Sequence, residues 1–200
     1  METNLVKSAE TYCSNLLIEK SPKQNVYHSL NHTREVVKAA NEIALGENIS
    51  PEDLELINIS AWFHDTGYIE KTRDHEEISA MFASNFLTEL NYDSTKIEKI
   101  IGIILATKVP QQPHNHLQQI MCDADLHHLG SNSFEDRNNL FRIETENYSG
   151  KKFTELQFIT ETIEFMNRHH YFTEYAKTNF TQIKDKNLLI LKQQFDSLTK

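Results

Sequence analysis

The chain has 200 residues, which is enough for one domain with a sizeable core. Only 5 Gly and 4 Pro interrupt a sequence that is 38% hydrophobic, and this is too few breaks for an all-β fold with its many turns. Acidic residues outnumber basic ones by 29 to 20, which gives a net charge of -9 without any basic cluster. Polymeric nucleic acid and anionic membranes are therefore not expected as partners.

The cysteine pattern and the first residues indicate a compartment. Cys13 and Cys122 are far apart and neither belongs to a CxxC pair, so we expect reduced thiols rather than a disulfide. The N-terminal stretch has no apolar segment typical of a secretion signal, and no part of the chain approaches a membrane span. The sequence therefore predicts a cytoplasmic protein.

Apolar residues recur at helical spacing along nearly the whole chain, without convincing strand-like alternation. The third helix has a clear start, with Ser50 as N-cap and Pro51 at the first position, and Asp74 is predicted to cap the fourth. The pattern predicts a single all-α domain over residues 1–200. Its helices are expected at about 3–20, 30–45, 50–65, from 74 onward, 94–107, 115–129, 133–147, 153–168 and 171–198, the last broken near Asn179.

The most informative stretch is 61–68, where His64 and Asp65 stand side by side at the end of an apolar run. Gly67 is a residue type that ends helices, so the pair is expected in the last helical turn, facing the core. A carboxylate there is disfavoured by the partial negative charge of the helix end and by burial. No Lys or Arg lies within five residues of the pair, so a bound cation is the economical source of compensating charge.

Other His and Asp residues lie in similar apolar helical settings. His28 and His32 are four residues apart and would share one face of a helix, and Asp125 lies within an apolar segment. Divalent metals take imidazole and carboxylate ligands from rigid elements that the fold brings together. Asp123 and Asp125 cannot both face the same ion from one helix, and we prefer Asp125.

Six other histidines are predicted to be non-ligating. His114 and His116 flank a Pro-bounded turn, and no Cys or His at a suitable distance completes a tetrahedral site there. The pairs 127–128 and 169–170 are expected to be partly exposed.

Five ordered motifs resemble those of the HD domain superfamily of metal-dependent phosphohydrolases, in particular its bacterial single-domain branch. The motifs are Tyr-His-x-x-x-His-Thr at 27–33, Ala-Trp-Phe-His-Asp-Thr-Gly-Tyr at 61–68, Asp-His-Glu-Glu-x-Ser-Ala at 74–80, Ala-Thr-Lys-x-Pro at 106–110 and Cys-Asp-Ala-Asp-Leu at 122–126. The resemblance covers about residues 25–130, and the helices of 131–200 fit it only loosely. It implies a compact helical bundle of the HD type around a metal ion.

The resemblance also implies a set of metal ligands. By motif, the ligands fall on His32, His64, Asp65 and Asp125. His28 corresponds to the histidine that protonates the leaving group in the related cyclic-nucleotide phosphodiesterases. The ion would be divalent, and Mn, Fe, Co, Ni, Mg and Zn all suit mixed His and carboxylate ligation.

Three further residues have open roles. His75 is a residue that supports a metal ligand, a ligand of a second metal, or a neighbour of a helix cap. Lys108 is a candidate to meet a substrate phosphate as a point charge, although a solvated lysine is nearly as plausible, and Arg73 is another available cation. In the catalytic hypothesis Asp65 has a second role, which is to orient the attacking water.

The leading hypothesis is a phosphohydrolase that cleaves a phosphate ester of a small molecule, in the first place a nucleotide, with a metal-activated water. The alternative is a non-catalytic, metal-containing module that binds a nucleotide for regulation. A weaker third hypothesis is a structural metal in an interaction protein. The sequence leaves the oligomeric state open, a homodimer included.

Overall fold

The computed structural model describes residues 3–200, so the first two residues of the predicted domain lie outside the described part. Within that range the chain forms nine α-helices and two short 3₁₀ turns and no strand, which confirms the all-α prediction. The helices are α1 Asn4–Lys20, α2 Leu30–Gly46, α3 Pro51–Phe63, α4 His75–Glu89, α5 Ser94–Leu105, α6 His116–Asp125, α7 Phe134–Ser149, α8 Glu155–Arg168 and α9 Glu174–Leu198. The 3₁₀ turns are Thr66–Ile69 and His127–Gly130.

Helix α3 lies at the centre of the bundle. Every residue from 56 to 63 is buried, whatever its position around the helix axis. A helix that is apolar on all sides must be covered on all sides, and α1, α2, α4, α5 and α6 all pack against α3. The C-terminal end of α3, where His64 follows, is therefore enclosed by neighbouring helices.

The C-terminal helices have a smaller core of their own, made by Leu129, Phe134, Ile159, Met166 and Leu191. They are attached to the central bundle through a buried polar contact as well. The Asp123 carboxylate of α6 accepts hydrogen bonds from the backbone N–H groups of Phe172 and Thr173, at 2.9 and 2.8 Å, and from the Thr173 hydroxyl. Asp123 thus fixes the chain where α9 begins.

The helices differ from the sequence prediction in three places. The third helix, expected to include His64 and Asp65 in its last turn, ends at Phe63, so the pair follows it and leads into the 3₁₀ turn. The predicted sixth helix is shorter, because α6 ends at Asp125 and residues 127–130 form a 3₁₀ turn. A 3₁₀ turn repeats every three residues, so its sequence pattern resembles the end of an α-helix. The predicted break near Asn179 is wrong: α9 is continuous, and the Asn179 amide donates to the Tyr175 carbonyl one turn earlier, at 2.7 Å.

The prediction that the Asp74 side chain caps the fourth helix is also wrong. Asp74 does precede α4, but it is in the left-handed conformation with φ 55° and its side chain makes no capping hydrogen bond. Its carboxylate accepts instead from the Lys108 ammonium, at 2.6 Å. The long-range ion pair therefore replaces the local cap.

Two further expectations concern the whole chain. Cys13 and Cys122 are both buried free thiols, as the cysteine spacing predicts. Among the described helices, none combines the length and the apolar character needed to cross a bilayer.

Gly67 lets two backbone segments approach closely beside the end of α3. Its N–H donates to the Ser79 hydroxyl of α4 at 2.8 Å, and a β-carbon at this position would lie 2.0 Å from the His75 carbonyl oxygen. Rigid backbone cannot yield as a flexible side chain can, so a methyl group here must push the 3₁₀ turn away from α4.

We therefore expect Gly67→Ala to lower the free energy of unfolding by about 1–3 kcal/mol through overpacking. Gly102→Ala is the matched control, because its β-carbon would lie 3.4 Å from the nearest side-chain atom, Nε2 of Gln118. Since Gly102 lies in α5, its replacement should leave stability unchanged or raise it by up to ~1 kcal/mol. Urea unfolding of both variants checks this, and equal effects of the two substitutions would contradict it.

Candidate metal centre

Three helices bring four ligand-type side chains together. His32 comes from the first turn of α2, His64 and Asp65 follow the last residue of α3, and Asp125 is the last residue of α6. One nitrogen or carboxylate oxygen from each residue lies within 4.8 Å of those of the other three. We call this set the donor cluster. The fold thus juxtaposes the four residues that the sequence motifs select.

The spacing within the donor cluster suits a single ion. Oδ2 of Asp65 is 3.2 Å from Nε2 of both His32 and His64, and Oδ1 of Asp125 is 3.6 Å from the same two nitrogens. Ligands bonded to one ion at about 2.1 Å lie roughly 3.0–3.5 Å from one another. The observed distances are therefore close to those of a coordination shell.

The hydrogen bonding of the donor cluster is incomplete without a cation. Nδ1 of His64 donates to the Ala61 carbonyl oxygen at 2.8 Å, which leaves Nε2 as the nitrogen that faces the cluster. Nε2 of His32, Nε2 of His64 and Oδ2 of Asp65 are all buried and make no hydrogen bond. Each such atom costs about 1–3 kcal/mol if nothing satisfies it. The donor set and its unsatisfied atoms thus fit a divalent metal.

The charges of the donor cluster perturb one another strongly. Burial favours neutral His32 and His64, but the neighbouring Asp65 and Asp125 carboxylates outweigh it and raise the pKa of both imidazoles. Burial also opposes ionisation of the two carboxyl groups, yet the adjacent imidazoles outweigh it and lower the pKa of each. The cluster therefore attracts positive charge, whether as protons or as a metal ion.

His75 lies against the other oxygen of Asp65. Its Nδ1 donates to the Thr72 carbonyl oxygen at 3.0 Å, and its Nε2 lies 3.2 Å from Oδ1 of Asp65 and 3.6 Å from Glu76. Burial lowers the pKa of His75, but the Asp65 carboxylate outweighs it and raises it overall. His75 is thus more than a neighbour of a helix cap, and its role as a ligand of a second metal stays a prediction.

His28 lies at the edge of the donor cluster. Its ring stacks on Tyr68 with centroids 3.7 Å apart and planes 13° apart, and its centroid is 5.8 Å from that of the His32 ring. The side chain is only 12% exposed, so His28 is not a free surface residue. This position is compatible with proton transfer to a molecule bound at the cluster.

The structure adds one residue that the sequence analysis did not select, Glu144 of α7. One of its carboxylate oxygens contacts Nδ1 of His28, and the other accepts from the backbone N–H groups of Tyr27 and His28, at 2.8 and 3.0 Å. Glu144 is 3% exposed, so this carboxylate is buried. Its contacts fix the His28 ring and leave Nε2 as the free nitrogen.

A weak signal for Glu144 exists in the sequence. Arg137, Phe141 and Glu144 are spaced by four and three residues, so they share one face of the predicted helix 133–147. A carboxylate on a buried helix face requires a partner. The partner is 116 residues away, however, so the sequence alone could not identify it.

The candidate phosphate-binding cations are already paired. The Lys108 ammonium lies 2.6 Å from Asp74 and 3.5 Å from Glu77, and its side chain is 47% exposed. Arg73 is almost fully exposed and lies near the same Asp74 carboxylate. To meet a substrate phosphate, Lys108 would have to exchange these partners, so its role in the site stays a prediction.

The other histidines differ in environment. His116 is half exposed and contacts Glu47, which agrees with the predicted surface position. His128 is buried with its ring against the Tyr27 hydroxyl, so the expectation of partial exposure is wrong for this residue. The reason is the 3₁₀ turn after α6, which directs His128 inward.

The family of the chain follows from its sequence match. A family model described as HD domain matches residues 29–130, and the chain therefore belongs to the HD domain family. HD domains bind divalent metals, and all four residues of the donor cluster lie within the matched segment. Glu144 and the last three helices follow that segment. Family and cluster together support a metal-dependent hydrolase.

Several solved structures share the fold. Bacillus subtilis YpgQ, determined in complex with ADP, is 17% identical with a TM-score of 0.67 over 96% of this chain and 94% of that one. A Lactobacillus plantarum protein is 16% identical with a TM-score of 0.71 over 100% and 99% of the two chains. An HD-superfamily hydrolase from Bacillus thuringiensis is 16% identical with a TM-score of 0.67 over 100% and 97%. None of the curated proteins matches the sequence.

We expect Asp125→Asn to bind metal with an affinity at least tenfold lower than that of the parent protein, because it removes a charged ligand from the donor cluster. Asp123→Asn is the matched control, since it changes a buried carboxylate of the same helix that faces α9 instead. Metal titration of both purified variants checks this. Equal metal binding by Asp125→Asn and the parent protein would remove Asp125 from the ligand set.

Metal affinity should rise with pH. The raised pKa values of His32 and His64 mean that these rings hold protons to higher pH than ordinary histidines, and an incoming ion must displace those protons. Affinity for Mn²⁺ should therefore fall on acidification, by up to about 100-fold per pH unit if two protons are released together. Calorimetry in buffers of different ionisation enthalpy measures the protons released, and a pH-independent affinity without proton release would contradict this account.

Proposed function

We propose that this protein is a metal-dependent phosphohydrolase that cleaves a phosphate ester of a small molecule, in the first place a nucleotide, with an activated water. The observation that carries the proposal is the position of His28 beside the donor cluster, where its ring centroid is 5.8 Å from that of His32. A cation site next to a positioned imidazole combines the two kinds of group that phosphate ester hydrolysis requires.

His32, His64, Asp65 and Asp125 would hold a divalent cation, which would supply Lewis acidity to a phosphoryl oxygen and to water. The chain itself supplies the proton for the leaving group. The Glu144 carboxylate occupies Nδ1 of His28, so a protonated His28 has its Nε2–H available to donate to the leaving oxygen.

Asp65 is suited to orient the attacking water. Its Oδ2 faces the imidazoles of His32 and His64, whereas its Oδ1 faces His75. A carboxylate held on both sides in this way has a fixed direction, and a water hydrogen-bonded to it would be positioned relative to the substrate. His75, and Lys108 if it leaves Asp74, would add positive charge near a bound phosphate.

The preference for a nucleotide is supported by one comparison, since the similarly folded YpgQ was determined with ADP. At 17% identity that likeness speaks for the fold alone, so the substrate of this chain is part of the proposal. The cytoplasmic location likewise stays a prediction from the sequence, and a homodimer stays one of the open oligomeric states.

The proposal is tested with metal-loaded protein and a panel of mono-, di-, tri- and cyclic nucleotides, with Mn²⁺, Co²⁺, Ni²⁺ or Mg²⁺. We expect phosphate, pyrophosphate or an opened cyclic product to appear, and Asp125→Asn to abolish it. Thermal stabilisation by a nucleotide without any product would instead support the non-catalytic binding module. Unfolding on chelation without nucleotide binding would support a structural metal.

We expect His28→Asn to reduce kcat by about 10²–10⁴-fold, as for loss of a general acid, with metal content unchanged. Glu144→Gln should reduce kcat by a smaller factor, because it disturbs the ring without removing it. Glu146→Gln is the matched control: it lies two residues further along α7 and binds Lys152 and Arg142. Steady-state kinetics of the three variants checks this, and equal kcat losses in the two α7 variants would argue against a specific role for Glu144.

A further inference from the structure

Helix α7 contributes one of its faces to the surroundings of the metal centre. Arg137 pairs with Glu35 of α2, and Glu144 contacts the backbone and ring of His28. Phe141 lies between them on the same face, because the spacing is four and then three residues. The two ends of this face are thus occupied by polar contacts to the segment around α2, and a phenylalanine lies in the middle.

Phe141 is in contact with the site but is not covered. Its ring packs edge-on against Tyr27, at a centroid distance of 5.5 Å, and against His28, at 6.3 Å. The residue is nevertheless 44% exposed, although it has no polar group to hydrate. An open apolar surface therefore borders the proposed proton donor.

Other exposed aromatic side chains have ordinary explanations. Tyr12, 38% exposed, packs against the rings of Phe63 and Phe86 in the core. Tyr148, 42% exposed, donates its hydroxyl to Asn25 and keeps a polar tip near water. Among the strongly exposed aromatic residues of the described chain, Phe141 is the one that contacts His28.

We propose that Phe141 is the platform on which the aromatic base of the substrate stacks, so that it selects base-containing phosphates over phosphates without a ring. This inference rests on the proposed function for the nature of the substrate and names the residue that recognises it. A phosphate at the donor cluster places the rest of the molecule near His28, and the Phe141 ring is the apolar surface bordering that position.

Stacking on a phenylalanine has a defined selectivity. Every nucleobase has a π face, so such a platform distinguishes an aromatic base from its absence but tolerates different bases. Phe141 is accordingly a specificity residue rather than part of the proton-transfer machinery. Its loss should weaken binding of nucleotides and leave the recognition of the phosphate itself unchanged.

The experiment compares AMP with ribose 5-phosphate, in which a hydroxyl group replaces the base, in binding to Mn²⁺-loaded protein by calorimetry. The variants are Phe141→Leu, which keeps apolar bulk but loses the aromatic face, and Phe141→Tyr, which keeps the face. Ile143→Ala is the control, because Ile143 is 45% exposed on the same helix but lies about 200° around its axis from Phe141. Circular dichroism and thermal unfolding verify that each variant is folded.

We expect Phe141→Leu to weaken AMP binding roughly tenfold or more, as for loss of a base-stacking contact, and to change ribose 5-phosphate binding less than about twofold. Phe141→Tyr and Ile143→Ala should bind both ligands like the parent protein. Equal effects of Phe141→Leu on the two ligands, no effect on either, or a parent protein that binds AMP no better than ribose 5-phosphate would overturn the proposal.

Parallel hydrolysis assays separate this inference from the proposed function. Base-dependent binding that Phe141→Leu abolishes, without turnover of any nucleotide, would leave the platform in place and refute the hydrolase. Nucleotide turnover with unchanged AMP binding in Phe141→Leu would support the hydrolase and refute the platform.

Discussion

The structure depends on the enclosure of two imidazoles and two carboxylates at one point between α2, α3 and α6, of which all but the partly exposed Asp125 are buried. These groups mutually shift their pKa values towards the charged forms, yet three of their atoms make no hydrogen bond. Carboxylates in such a place are costly unless positive charge meets them, and protons on the imidazoles or a metal ion can supply it. A cation held by all four residues, with both imidazoles neutral, would meet this need and would join three helices that are remote in sequence.

The surrounding structure keeps this arrangement rigid. Gly67 allows the turn after Asp65 to lie against the backbone of α4, which in turn carries His75 to the second oxygen of Asp65. Backbone carbonyls at Ala61 and Thr72 hold the rings of His64 and His75 by Nδ1, so each presents Nε2. The same local device, a histidine bonded to the carbonyl three residues earlier, thus sets the direction of both rings.

The sequence predicts the helices because helical periodicity is local. It selects the four residues of the donor cluster mainly through the resemblance of its motifs to a family, supported by the need of carboxylates in apolar segments, such as Asp65 and Asp125, for partners. It does not predict contacts that depend on packing between distant helices. The contact of Glu144 with His28 becomes visible only when α7 is placed against the segment that contains His28. Asp74 likewise binds the distant Lys108 and makes no capping hydrogen bond to the helix beside it.

The contact between Glu144 and His28 joins the segment before α2 to a helix in the C-terminal part of the chain. The family match ends at residue 130, so the donor cluster belongs to the matched segment, while the carboxylate that contacts the proposed acid, His28, belongs to the helices that follow. In the proposed mechanism, a change in these helices would alter both the ring that delivers the proton and the aromatic side chain that meets the base, without touching a residue of the donor cluster. Under that proposal, substrate preference and metal binding can change independently in this chain.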